Sequence, residues 1–148
     1  RSLFEAHIPG LRLGQLGEEL LNGDWTSGHF LMQHLAKQGA VKIAPAAWID
    51  DTGNGGSTPS RSPVGGILKL REVTMEMPVP PAPMCPKETR MTTTFCIKVS
   101  LLPDGDASIE LQTSSISHDV PFGDKFLVQE RVELTPSEDG SGVRVQKQ

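Results

Sequence analysis

The side chains able to hold a metal or move a proton are four histidines, two cysteines and a few clustered carboxylates, and their spacing directs them to neither task. His7, His29, His34 and His118 are dispersed along the chain. Only His29 and His34 are near neighbours, and a step of five residues does not bring two rings onto one helical face. Asp50 and Asp51, like Asp104 and Asp106, fall in turn-forming stretches that match no calcium-loop pattern. There is no Gly-x-Ser-x-Gly elbow, no phosphate loop and no dinucleotide fingerprint. No catalytic residue, metal ligand or cofactor is therefore assigned, and the chain reads as a binding protein and not an enzyme.

The chemistry left is that of apolar surfaces. The strongest candidate is the alternation Met91, Thr93, Phe95, Ile97, Val99 and Leu101, which places one apolar face on a strand from Met91 to Leu101. Thr93 is a single hydroxyl within that face, a candidate polar contact for a bound molecule. Ile109 and Leu111, then Phe126 and Val128, continue the pattern on later strands. Such a face lines either an ordinary core or a cavity, and the pattern alone does not separate the two.

The elements that carry these residues come from periodicity and turn chemistry. Residues 3–8 read as a short strand stopped by Pro9-Gly10. Leu13, Leu16 and Leu20 form a helical stripe ended by Asn22-Gly23 and weakened by Gly14 and Gly17. A second helix, capped by Asp24 or Ser27, buries Phe30, Leu31 and Leu35 and stops at Gly39. Residues 40–49 form a strand in which Pro45 marks an edge or a bend. Residues 51–63, rich in Gly, Ser, Thr and Pro, form a flexible surface loop. Leu68 and Leu70 share one phase and Val73, Met75 and Met77 the other, so a bulge is expected near Arg71-Glu72. Pro78 to Pro86 is a stiff loop, because proline lacks a ladder donor. Pro103-Asp104-Gly105-Asp106 and Pro121-Phe122-Gly123-Asp124 are turns between further antiparallel strands. The fold class is α+β: two short helices near the N-terminus and one curved antiparallel β-sheet.

Length and charge narrow the partners. The 148 residues suit one domain able to hold a core and a modest cavity. A net charge of −4, from 14 Lys and Arg against 18 Asp and Glu, argues against a nucleic-acid partner. No apolar stretch is long enough to span a bilayer. Cys85 and Cys96 are two thiols that fit a reducing, intracellular setting, with a disulfide between them left open. The chain starts at Arg1 and ends within the alternating pattern from Gly142, so both ends read as cut from a longer protein.

Val120-Pro121-Phe122-Gly123-Asp124, followed by Phe126, resembles the signature turn of the VASt domain family. Arg71-Glu72-Val73-Thr74-Met75, a proline-rich loop and Cys85-Pro86-Lys87-Glu88-Thr89 resemble that family's strand, lid loop and strand. The resemblance implies a StART-like helix-grip fold that binds a sterol or related lipid between the curved sheet and a long C-terminal helix, which is missing from this chain. It implies one VASt-like domain over residues 1–148, truncated at its C-terminus. Val79, Pro80 and Met84 become the apolar part of a lid loop. Met91, Thr93, Phe95, Ile97, Val99, Ile109, Leu111, Phe126 and Val128 become the lipid-cavity residues. The implied partners are a sterol or phospholipid ligand and a membrane surface met peripherally, through other domains of the parent protein. The implied setting is intracellular and cytosolic, at a membrane surface or contact site. The alternative is a VASt-like interaction module that has lost its ligand and serves as a subunit of a larger assembly with protein partners. An empty cavity of roughly 300 Å³ or more favours the first reading.

Overall fold

The computed structural model describes residues 4–49, 67–103 and 106–148. Strands β1 (Phe4–Pro9), β2 (Val41–Ile49), β3 (Ile67–Pro78), β4 (Glu88–Leu101), β5 (Ala107–Ser117), β6 (Val128–Pro136) and β7 (Gly142–Lys147) form one curved sheet. Its order is β1-β7-β6-β5-β4-β3-β2, with every pair antiparallel. Helices α1 (Leu13–Asn22) and α2 (Phe30–Lys37) lie against its concave face. The expected loop at residues 51–63 lies outside the described residues. No described helix is long and apolar enough to cross a membrane.

Alternation places the core on one side of the sheet. Val73, Met75, Phe95, Ile97 and Ile109 point inward and are almost fully buried. From the helices, Leu13, Leu20, Leu21, Leu31, Met32 and Leu35 meet them. Gly17 faces the sheet where a Cβ would lie 3.8 Å from Ile109 and 3.9 Å from Val99. The outer face carries Thr92, Thr94, Gln112 and Ser114, and an ion pair of 2.7 Å joins Arg131 to Glu110.

Three local expectations change. The cap of α2 is His29, not Asp24 or Ser27: its Nδ1 accepts the Leu31 N–H at 3.3 Å. Phe30 stays 40 % exposed while Met32 enters the core, because the helix begins at Phe30 and turns its second and third residues toward the sheet. The bulge expected near Arg71-Glu72 is not in β3, whose register with β4 runs unbroken from Ile67 to Pro78. β2 is the irregular partner, with register shifts between Val41 and Ala44 and, opposite Arg71, between Pro45 and Trp48. The strand keeps its phase because Lys69 and Arg71 occupy the inner face as cations over aromatic rings. The Arg71 guanidinium lies 4.9 Å from Trp25 and 5.1 Å from Trp48, and the Lys69 ammonium 5.3 Å from Trp48. Burial lowers the pKa of Arg71, and a 2.7 Å bond to the Ala46 carbonyl engages its Nε.

Candidate functional site

The inner face of the sheet divides into two regions according to what covers it. Under α1, the row Val99, Ile109, Leu134 and Val145 packs as core. Beside α2 the same face is left with a cavity of about 440 Å³. Its floor is Met75 and Met77 of β3, Met91, Thr93 and Phe95 of β4, Leu111, Thr113 and Ser115 of β5, and Val132 of β6. Its wall is the α2 face of Phe30, Leu31, His34, Leu35 and Gln38.

Polar groups stand at defined places in this apolar space. Thr93, only 4 % exposed, lies opposite Ser115 in the ladder, and the two hydroxyls are bonded at 2.8 Å. Thr113 lies one inward step along β5. At the margin, Lys147 pairs with Glu130 at 2.9 Å, and Gln38 meets His34 at 3.3 Å across one helical turn. A surface groove of about 950 Å³ beside β1 is larger, but Glu5, His7, Glu138, Asp139 and Arg144 line it, so it suits no apolar guest.

The wall is anchored by aromatic packing around Trp25 and His29. Trp25 donates its indole N–H to the Leu20 carbonyl at 3.1 Å and meets Phe95 edge-on at 5.3 Å. His29 stacks between Trp25 and Phe30, with centroids at 5.2 and 4.8 Å. Because Nδ1 is used as the cap acceptor, Nε2 carries the proton and donates to the Glu19 carbonyl at 3.1 Å. One buried ring thus ties α1 to the start of α2.

Of the residues proposed from sequence, Met91, Thr93, Phe95 and Leu111 line the cavity. Ile97, Val99 and Ile109 share their face but do not line it, since α1 packs on that part of the sheet. Phe126 and Val128 also do not line it. Phe126 follows a single 3₁₀ turn at Gly123–Lys125 and is 70 % exposed, and Val128 is 61 % exposed at the very start of β6. Sequence reasoning missed Met75, Met77, Thr113, Ser115 and Val132, although each continues an alternation visible in its own strand. The helical wall was hidden, because the contribution of α2 depends on where it lands.

Two loops flank the end of the sheet where this cavity lies. The β3–β4 loop is closed by the Val79 N–H donating to the Lys87 carbonyl at 2.8 Å. At its tip Met84 is 95 % exposed with φ 63°, and Pro80 is also exposed. In the β5–β6 connection Phe122 takes positive φ, at 60°. Gly123 is required beside it because a Cβ there would collide with the Ser117 carbonyl and the Val120 side chain. The carboxylate that braces this connection is Asp119, which accepts the Arg90 N–H at 2.7 Å and an Arg90 guanidinium N–H at 2.8 Å.

Residues 18–147, from within α1 to the end of β7, match the family model described as "VAD1 Analog of StAR-related lipid transfer domain", or VASt. The chain belongs to the VASt family. The match contains the cavity and both flanking loops of this VASt domain. The family is one of lipid-binding domains, not of enzymes. A search of the curated proteins finds no match.

The histidines of this VASt domain have hydrogen-bond partners within the fold. His29 caps α2, His118 lies 2.8 Å from Thr92 Oγ1, and His7 lies 3.3 Å from Ser141 Oγ. Among the described residues no three of His, Cys, Asp and Glu converge. Cys85 and Cys96 are free thiols, and burial pushes that of Cys96 up in pKa.

Proposed function

We propose that this VASt domain holds one sterol or similar lipid in the cavity between α2 and the sheet and passes it between membranes. The observation that carries the reading is the cavity: about 440 Å³ of mostly apolar space with a hydroxyl pair, Thr93 and Ser115, on its floor. That size is within the usual range for small-molecule sites, and the lining matches a guest that is apolar apart from one end. Three methionines give a floor that adapts to irregular shapes. A ligand of roughly 30 heavy atoms at about −0.3 kcal/mol per atom gains about −9 kcal/mol, a sub-micromolar affinity reached without covalent chemistry.

In this reading the helix-grip arrangement is completed by a C-terminal helix over the open side of the cavity. The loop of Val79, Pro80 and Met84 serves as lid and touches the membrane peripherally, on the cytosolic side. Thr93 and Ser115 meet the polar end of the lipid.

Titration with a fluorescent sterol and with labelled phospholipids, followed by transfer between liposomes, tests the reading. Saturable binding at sub-micromolar concentration is expected. Val79→Asp with Met84→Asp should slow transfer while leaving equilibrium binding within a few-fold. Absence of binding by any of these lipids at micromolar concentration would overturn the carrier function and leave an assembly module in its place.

A further inference from the structure

The two edges of the sheet are built differently. On the β2 side, Pro45, two register shifts and a left-handed Lys42 with φ 51° break up the edge, as natural edges that avoid pairing do. On the other side β1 pairs with β7 without a shift from Phe4 to Pro9, and no described strand continues beyond it. The Gly10 N–H donates to the Ser141 carbonyl at 3.0 Å. Counting back by twos along the antiparallel ladder, Ile8, Ala6 and Phe4 exchange bonds with β7, and the N–H and C=O groups of Glu5 and His7 point outward.

We propose that this edge pairs with the same edge of a second copy of the chain, antiparallel about a twofold axis through Ala6. The strand is chemically self-complementary in that register alone. Glu5 then faces His7 of the second copy on the outer side of the sheet, and Phe4 faces Ile8 on the inner side. Phe4 and Ile8 are 55 % and 42 % exposed and gain cover from each other. Sliding the register by two residues in one direction opposes Glu5 to Glu5. Sliding it in the other opposes Glu5 to Pro9, which has no N–H to give. Registers one residue off set an outward backbone group against an inward one and make no ladder. Arg144, bonded to Glu5 at 2.7 Å, stays on the outer side and keeps a cation beside the carboxylate. The twofold arrangement is the usual one for a homodimer. A contact between two six-residue strands is small, so the dimer is transient.

Sedimentation of the full chain from micromolar to millimolar concentration reads the association directly. His7→Pro removes an outward N–H without touching the bonds to β7, and weakens self-association roughly tenfold or more. His7→Glu sets carboxylate against carboxylate and abolishes the homodimer. Mixed with Glu5→Lys, the same variant recovers a heterodimer, because the new glutamate then faces the new lysine while Glu5 of one copy still faces His7 of the other. Unchanged thermal melts of the variants keep folding out of the comparison. A chain that stays monomeric at millimolar concentration, a dimer indifferent to His7→Pro, or a mixture with no heterodimer would each overturn the proposal.

Discussion

Arg90 and Asp119 lock the start of β4 to the β5–β6 connection through backbone and side chain together. The Arg90 N–H meets Asp119 Oδ2 at 2.7 Å, and the guanidinium reaches Oδ1 at 2.8 Å. These bonds hold the Asp119 carboxyl at about 2, below its ordinary 3.8. Because the folded value is depressed, the stabilisation is complete above the ordinary carboxylate range and is lost as pH falls from about 4 toward about 2. Asp119→Asn should flatten the fall in melting temperature across that window and lower it slightly at neutral pH. A pH profile identical to that of the parent would show that the pair contributes nothing.

His29→Ala should be among the more damaging single changes outside the sheet. It removes the α2 cap, the bond to the Glu19 carbonyl and a ring stacked between Trp25 and Phe30. A loss of about 2 kcal/mol or more is expected in chemical denaturation. His29→Asn should recover part of that loss by restoring an acceptor for the cap.

Gly14→Ala should stabilise the domain. Nothing lies within 4 Å of a Cβ at that position, and the residue is helical. Replacing glycine by alanine in a helix gains about 0.5–1 kcal/mol, or roughly two to four degrees of melting temperature. Gly17→Ala should do likewise, since its Cβ meets Ile109 at an ordinary 3.8 Å. A drop in melting temperature for Gly17→Ala would mean that α1 cannot yield even that contact.

Thr93→Val separates the two roles open to the hydroxyl. It keeps the shape of the side chain and strips Ser115 of its 2.8 Å partner, costing about 1 kcal/mol in a buried setting. If the cavity takes a lipid by its polar end there, sterol affinity should fall several-fold beyond the change in stability. Equal affinity for parent and variant would remove Thr93 from the binding contacts.

Gly123→Ala should distort the turn at its closest approach. The new Cβ would press on the Ser117 carbonyl, which is backbone and cannot swing aside. The expected result is a loss of about 2 kcal/mol, readable by thermal melt, without a change in the α2 cap.

Much of this domain was legible in strict alternation and turn chemistry. The inward face of β4 from Met91 to Val99 followed from period two alone, because half-buried strands sort apolar and polar residues by parity. Both helices, the stop at Gly39 and the signature turn followed from the same local rules. At β3 those rules misled. Lys69 and Arg71 are counted polar by any pattern, yet they stay inward because Trp25 and Trp48 supply ring faces for their charges. The cap of α2 was missed for a similar reason, as an imidazole serves there only because Glu19 and Trp25 are held beside it.

By itself, then, the amino-acid order determined the α+β class, the inward face of β4 and the family turn, all of which rest on neighbours in sequence. Only the tertiary structure decided which part of one apolar face is core and which is cavity. Ile97 and Phe95 are equivalent by pattern, but α1 settles over the strand segment around Val99 and α2 stands off beside Phe95. The difference lies in how two helices far from β4 in sequence are spaced and anchored over the sheet. Strand periodicity carries no record of that distance.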